Sequence, residues 1–471
     1  MAFLIGGANS AADTAFSVAN SCRFNKTDNA YHSKSLGAPT DADKFTISFW
    51  MKLGLVSSTV RTIFNIAVSG GANTFLQLTA ADLMVFGRYD SGYQGNLTTN
   101  QVFRDPSAWY SIIVVYDSGN ATAGNRMRLY VNGTEVTSFG TDTNPTQDLD
   151  SSNIDGATIF VGAYGDDDEE FDGYLAEFCF IDGLALTPSS FGEFNEDSPN
   201  IWQPIDVSGL TFGNNGFYLD FEDSANLGND KNGGTDLGET NIAAVDQAVD
   251  SPSNNFATMN ILDNYYGAGT FTEGNLKIVT LSSDYTYYTG TIGLTAGLWY
   301  FEAKLTATAD DNQVHVGIAG RVTQDAQHEL GHYNDTYAYY SADGDSRTND
   351  GDTSYGTGFD TGDILGVYID LSANKLYFAK NGTVQNSGTG ISITAPASVT
   401  AGAYFPAVGD WANQSATWEV NFGNPSFSLS SAVADKNGYG SFEYNPSSGT
   451  FDSASKDFLA ICTKNLGSDG G

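Results

Sequence analysis

Apolar and polar residues follow one another in short runs along the whole chain, at the period of a β-strand. Phe45-Thr-Ile-Ser-Phe-Trp-Met51 alternates over most of its length, and Phe75-Leu-Gln-Leu78 does so more briefly. Leu83–Phe86, Trp109–Asp117, Arg128–Asn132, Ala157–Gly162 and Gly173–Ile181 extend this first series of predicted strands. A second series starts after residue 255, with Leu276–Leu281, Gly297–Leu305, Val314–Ala319, Ile364–Asp370, Lys375–Ala379 and Thr417–Phe422. Clusters of Gly, Asn, Asp and Ser separate the runs at intervals typical of sandwiches. No stretch has the length and period of an amphipathic helix. Thr187-Pro-Ser-Ser-Phe191 predicts a short helical turn, with Thr187 as its cap and Pro188 at its first position.

The same hairpin signature occurs twice. Arg126-Met-Arg-Leu-Tyr-Val-Asn-Gly-Thr-Glu-Val136 and Asn374-Lys-Leu-Tyr-Phe-Ala-Lys-Asn-Gly-Thr-Val384 each place Asn-Gly between two strand-like runs. A two-residue type I′ turn needs φ > 0 at both central positions, and Asn-Gly meets that demand. Each hairpin follows a further apolar strand, Ile112–Asp117 in one case and Ile364–Asp370 in the other. The repeated meander predicts two β-domains, at residues 1–200 and 256–471. Between them, 201–255 loses its periodicity and reads as a linker with one strand at Gly216–Phe221; its most polar part is Asn226–Asp236.

Composition agrees with two full cores. The chain has 471 residues, 41% hydrophobic and 13% aromatic, and that length calls for two or three domains. The longest apolar runs are far short of the ~20 residues of a spanning helix, so no membrane insertion is expected. The N-terminus lacks the basic start and apolar core of a secretory signal, and export by that route is not expected. Cys22, Cys179 and Cys462 are odd in number and widely spaced, and predict no disulfide framework. Cys179, between Phe178 and Phe180, reads as a buried thiol. The formal net charge of −36 repels phosphate backbones and argues against nucleic-acid binding. Most of the acid is Asp in turn-like contexts, which suits turn chemistry and solubility in a salty medium; some of it could ligate divalent cations.

The first half resembles the laminin-G/concanavalin A-like lectin superfamily. The residues that carry this are Phe45–Trp50, Trp109–Asp117, Leu129-Tyr-Val-Asn-Gly133, Ile159-Phe-Val-Gly-Ala163, Phe171–Phe178 and Leu184-Ala-Leu-Thr-Pro188, in that order. The second half resembles SPRY domains, through Gly297–Lys304, His315-Val-Gly-Ile-Ala319, Gly362–Asp370, Lys375–Gly382, Tyr404-Phe-Pro-Ala-Val408 and Val420-Asn-Phe-Gly423. The implied fold is all-β: two concanavalin A-like antiparallel sandwiches of jelly-roll type, joined by a partly ordered segment. Two shorter segments, Asp250–Asn260 and Phe458–Leu466, are similar to segments of bacteriophage virion proteins, especially those of marine phages.

Several motifs invite a catalytic reading. His328-Glu-Leu-Gly-His332 is a literal HExxH, which in zinc peptidases lies on a helix and supplies two metal ligands and a general base. Here Gly331 interrupts it, turn-like Tyr333-Asn-Asp335 follows, and Asp335 and Ala338 stand where the extended motif has Gly and His. A surface loop is the expected setting of this motif, and His328 and His332 are its candidate zinc ligands. The Glu-x-Asp-x-x-Glu strand of glycoside hydrolases has a partial echo at Glu170-Phe-Asp172, but residue 175 is Leu. No nucleophile elbow or phosphate loop occurs, and the chain has four histidines.

Two acidic loops, Gly165–Glu170 and Asp343–Asp352, are calcium candidates, with Asp166, Asp168, Asp343 and Asp345 as ligands. The laminin-G resemblance implies calcium, where present, on rim loops of this kind. Carbohydrate binding uses an aromatic platform beside amides or carboxylates. Tyr164 flanks the first acidic loop, Tyr339, Tyr340 and Tyr355 flank the second, and Trp411 stands near Asn413. The expectation is a non-enzymatic virion protein made in the host cytoplasm: a tail-fibre or receptor-binding component that contacts host surface polysaccharide. The alternatives are a capsid-surface decoration protein or a glycan-cleaving or zinc-dependent hydrolase. Its partners would be other virion proteins of tail or capsid and further copies of itself, a trimer being favoured.

Overall fold

A computed structural model describes residues 4–5, 16–56, 59–68, 70–165, 169–196, 198–263, 267–281, 283, 285–309, 313–322, 327–411 and 415–469. The chain divides into two compact units, one of residues 11–253 and one of 254–471 together with the first ten residues. Both are built from sheets that are antiparallel apart from the parallel pairing of Leu459–Ala460 with Leu298–Thr308 and of Leu4–Ile5 with Ile292–Gly293.

In the first unit one eight-stranded sheet runs in the order Thr134–Glu135, Met127–Val131, Trp109–Asp117, Lys44–Leu53, Gly173–Asp182, Ser21–Phe24, Gln247–Ala248. Phe217–Leu219 also pairs with Gly173–Asp182. The facing sheet has the order Phe139–Thr143, Tyr93–Val102, Leu83–Tyr89, Asn73–Leu78, Arg61–Ala67, Thr158–Val161, Tyr31–Ser35, Gly238–Thr240. Phe45 stacks on Tyr116 within the first sheet and meets Phe86 of the second, so this side of the strand lines the core. Ile113 and Val115 point the other way, into a second cluster with Phe191, Val207 and Phe212. Trp109–Asp117 is thus buried on both faces, which explains why Ile112–Tyr116 is unbroken instead of alternating. Each such aliphatic side chain contributes about 1.5–3 kcal/mol by leaving water.

The expected linker is not a linker. Residues 202–204, 217–219, 238–240 and 247–248 are strands, and the last three complete the sheets of the first unit. Asp250 closes the segment. Its carboxylate is 2.6 Å from Lys52 Nζ, both side chains fully buried, and it accepts a 3.0 Å bond from Trp109 Nε1.

The second unit pairs a nine-stranded sheet with a six-stranded one. The larger runs Thr270–Thr272, Lys277–Val279, Ala416–Asn421, Leu298–Thr308, Ile364–Asp370, Lys375–Lys380, Thr383–Val384, with Ile391–Ser392 and Leu459–Ala460 attached. The smaller runs Thr286–Thr289, Phe405–Asp410, Val314–Ala319, Thr336–Tyr340, Asp345–Thr348, Gly351–Ser354. Trp299, Phe301, Val316, Ile318, Tyr339 and Trp418 belong to the core between them. The segments 250–260 and 458–466 meet here: Phe256 and Cys462 form a β-bridge, and Asn255 and Thr463 exchange hydrogen bonds.

Both predicted hairpins form. Asn132 and Gly133 have φ of 48° and 74°, and Asn381 and Gly382 have 48° and 77°. All three cysteines are buried and free.

Candidate functional site

The outer face of the six-stranded sheet gathers several of the singled-out residues. In Val314–Ala319, Val314, Val316 and Ile318 belong to the core, so His315 faces outward. Its antiparallel partner Tyr340 stacks on it, with ring centroids 4.8 Å apart and planes at 16°. Trp411, just past Phe405–Asp410, lies 6.0 Å from His315, 5.9 Å from Tyr340 and 5.5 Å from Tyr285. Arg347 sets its guanidinium 5.3 Å from the Trp411 ring centre. Burial, then the Arg347 charge, lowers the pKa of His315 to about 3. Tyr340, Trp411 and Tyr285 remain half-buried.

Strand alternation separates the remaining tyrosines from this patch. Tyr339 points into the core, fully buried, with its hydroxyl donating to Thr357 O at 2.6 Å, and Tyr355 packs beside it. The second acidic loop is largely a β-hairpin: Asp345–Thr348 pairs with Gly351–Ser354 about Asn349 and Asp350, at φ of 50° and 57°. The Asp343 carboxylate accepts the Asp345 amide at 3.0 Å, a turn contact. Asp166, Asp168 and Asn413 lie outside the described residues.

The HExxH segment lies in a turn beside this patch. His332 N–H bonds to Glu329 O, and Gly331 has a φ of +99°, outside helical geometry. A Cβ at Gly331 would stand 2.9 Å from Arg347 Cγ, so this position needs Gly for space as well as for φ. Leu330 is buried against Ala319, Ala338 and Ala407 of the sheet's outer face. Among the described residues, one group of three His, Cys, Asp or Glu has its ligand atoms within 4.8 Å of one another: His328, Glu329 and His332. Asp343 and Asp345 are not part of such a group.

The first unit has two surfaces of its own. Tyr164 packs edge-on against Phe75 at 5.8 Å, and Phe75 in turn touches Tyr93. Tyr89 and Tyr93 meet edge to face across the tip of their hairpin and are 37% and 49% exposed. The sequence reading missed both, although aromatics flanking the tight turn Asp90-Ser-Gly92 would have marked them.

The second surface is a groove of about 750 Å³. It lies between the Asn132-Gly133 hairpin and a small ribbon of Gly192–Phe194 and Trp202–Pro204. Tyr130, Trp202 and Phe194 give it an aromatic lining, and Glu135 and Glu193 supply carboxylates. Trp202 donates to Ser111 Oγ at 3.2 Å and takes Phe194 edge-on at 5.0 Å. Phe194 is 44% exposed. Trp202 escaped the sequence reading because it sits where strand periodicity fades.

Two antiparallel sandwiches in tandem, with aromatic and acidic side chains gathered on particular faces and edges, define a two-module β-sandwich protein. Residues 25–190 match the concanavalin A-like lectin/glucanases superfamily in its laminin G form, and residues 298–425 match the SPRY domain. The chain therefore carries a concanavalin A-like domain followed by a SPRY domain.

Ran-binding protein 9 of Mus musculus and Ran-binding protein 10 of Danio rerio are each 30% identical to it over 87 residues. That stretch is 18% of this chain and 13% and 14% of theirs, so the chain spans about a seventh of the length of these curated relatives. Similar solved structures include the SPRY domain of human HERC1, with TM-score 0.26 and 19% identity over 31% of this chain and 87% of that one. A heptameric pentraxin from Limulus polyphemus has TM-score 0.29 and 18% identity over 37% of this chain and 81% of that one.

Proposed function

We propose that this chain is a non-enzymatic recognition protein whose first sandwich binds polysaccharide in the groove lined by Tyr130, Phe194 and Trp202. The groove itself carries the reading. It lies within the roughly 300–1,000 Å³ range of small-ligand sites, and it combines an exposed aromatic edge with two carboxylates. The apolar face of a pyranose would lie on Phe194 and Trp202, while its hydroxyls donate to Glu135 and Glu193. The half-buried Tyr285–Tyr340–Trp411 patch of the SPRY domain offers a second surface of the same chemistry.

A binding role is favoured over hydrolysis by the site chemistry. The HExxH turn is not helical, and its Glu329 is engaged by Arg347 at 2.9 Å. The setting we propose is the surface of a bacteriophage particle, as a tail-fibre component contacting host glycans and assembling as a homotrimer. The similarity of residues 250–260 and 458–466 to virion segments supports that setting. Calcium on the Gly165–Glu170 or Asp343–Asp352 stretches remains part of the proposal.

A glycan array probed with the full chain, with and without EDTA, tests the binding role. Saturable binding to a defined neutral glycan is expected. Phe194→Ala should weaken it roughly threefold to tenfold, the worth of one aromatic contact, with Tm unchanged. A flat array, or binding indifferent to Phe194→Ala and Glu193→Gln, would sink the groove assignment. Loss of binding in EDTA would assign calcium a part. Labelled antibodies on intact virions would place the chain on tail or head.

A further inference from the structure

We infer that His328, Glu329 and His332 form a binding site for a zinc-class divalent ion, built on a turn instead of a helix. The turn brings the residues at positions i and i+4 of the motif together, with the two imidazole rings stacked 3.4 Å apart and their planes at 4°; because the nitrogen lone pairs lie in the ring planes, one ring turns out of the stack when both face a single ion. The Glu329 carboxylate completes three ligand atoms within 4.8 Å of one another. Two imidazoles and one carboxylate are a ligand set that suits zinc and its neighbours and leaves a position for water.

Three further observations favour a site over a chance cluster. His332 Nδ1 is 2.8 Å from Asp350 Oδ1, which fixes the ring and leaves Nε2 as the ligand atom, the arrangement that orients metal-bound histidines. The local charge calls for a cation: Glu329, Asp350 and Asp352 surround the single guanidinium of Arg347, an excess of two negative charges. The turn is also held before any ion arrives. Thr336 Oγ1 accepts the amides of Gly331 and Tyr333, Arg321 stacks on Tyr333 at 3.7 Å and pairs with Asp335, and Leu330 is buried.

The inferred role is structural. Glu329 serves as ligand and Arg347 partner, so it is not a free base for peptide hydrolysis. Ligation would also bind the turn to the hairpin through Asp350 and Arg347, beside Trp411.

The inference stands apart from the saccharide reading and is tested without a glycan. The purified full chain is dialysed against zinc in excess calcium, which occupies carboxylate-only sites, and the metal content is measured. One equivalent of zinc is expected, together with a rise in Tm, and cobalt in its place should give the visible spectrum of a four- or five-coordinate nitrogen/oxygen site. His328→Ala/His332→Ala should lose the zinc, the Tm rise and the spectrum while keeping the Tm of the metal-free protein. Asp350→Asn keeps all three ligands and should weaken affinity about tenfold or more. No saturable zinc uptake in calcium, or uptake unchanged in the double variant, overturns the site. Unchanged affinity in Asp350→Asn overturns the orienting role of that carboxylate.

Discussion

Glu177 stands at a register shift of the strand Gly173–Asp182, between Ala176 and Cys179, with a φ of 51°. The bulge turns a carboxyl into the protein, where the Tyr218 hydroxyl donates to it at 2.6 Å. Burial raises its pKa to about 8; Asp220, Glu222 and Asp206 add to the rise and the Tyr218 bond opposes it. The folded state therefore holds a proton that the unfolded chain releases above its ordinary value of 4.5. Stability from this group is present below that value and is lost as pH climbs to about 8. Glu177→Gln should flatten the fall of Tm between pH 4.5 and about pH 8, and identical curves for the two proteins would refute this.

His315 acts in the opposite sense. Its folded pKa of about 3 means that the unfolded chain takes up the proton first, so stability falls as pH drops below 6.5. Both ring nitrogens lack hydrogen-bond partners among the described residues, and the ring is stacked on Tyr340. His315→Phe keeps the stacking and should reduce the loss of Tm between about pH 6.5 and about pH 4, measured by calorimetry against wild type.

At the scale of elements, residues 201–253 are the part of the first unit whose removal has the clearest consequence. Without them, the buried Lys52 ammonium loses the Asp250 carboxylate, and Ile113 and Val115 lose Val207 and Phe212. Asp250→Ala alone should cost about 3–5 kcal/mol, the usual consequence of removing one partner of a buried ion pair. A fragment truncated after Asn200 should unfold without cooperativity, whereas one ending at Ser253 should melt in a single transition. Equal melting of the two fragments would disprove the structural role.

The sequence concealed this segment because its strands are two or three residues long, too short for alternation to register. The Asn-Gly turns were legible because their backbone demand falls on two residues that meet it locally. Asn349-Asp350 makes the same left-handed pair with less typical residues, and so an acidic hairpin read as a loop. Tyr339 and Tyr340 are neighbours in sequence and opposite in face, and only the sheet register says which one is exposed. Arg347 was missed because Glu329 and Trp411, which join it at this site, come from other parts of the chain.

The charge of the whole molecule narrows what can approach it. With 56 acidic against 20 basic residues, the field repels anions at long range, and polysaccharides rich in sulfate or uronic acid approach against it. The groove adds Glu135 and Glu193 to that field. A neutral sugar avoids the penalty and gains the same stacking and hydrogen bonds, so neutral glycan is the expected class. Salt separates the cases, because the Debye length falls from about 10 Å at 0.1 M to about 3 Å at 1 M. Affinity for a neutral glycan should stay level across that range, while affinity for an acidic one would rise with salt. Self-repulsion is screened by the same ions, so the Tm of the unliganded chain should increase with sodium chloride. Titration calorimetry and thermal melts over one salt series measure both. Tightest binding to an acidic glycan at low salt would show that the groove presents a positive potential, and would refute the match between its two carboxylates and a neutral sugar.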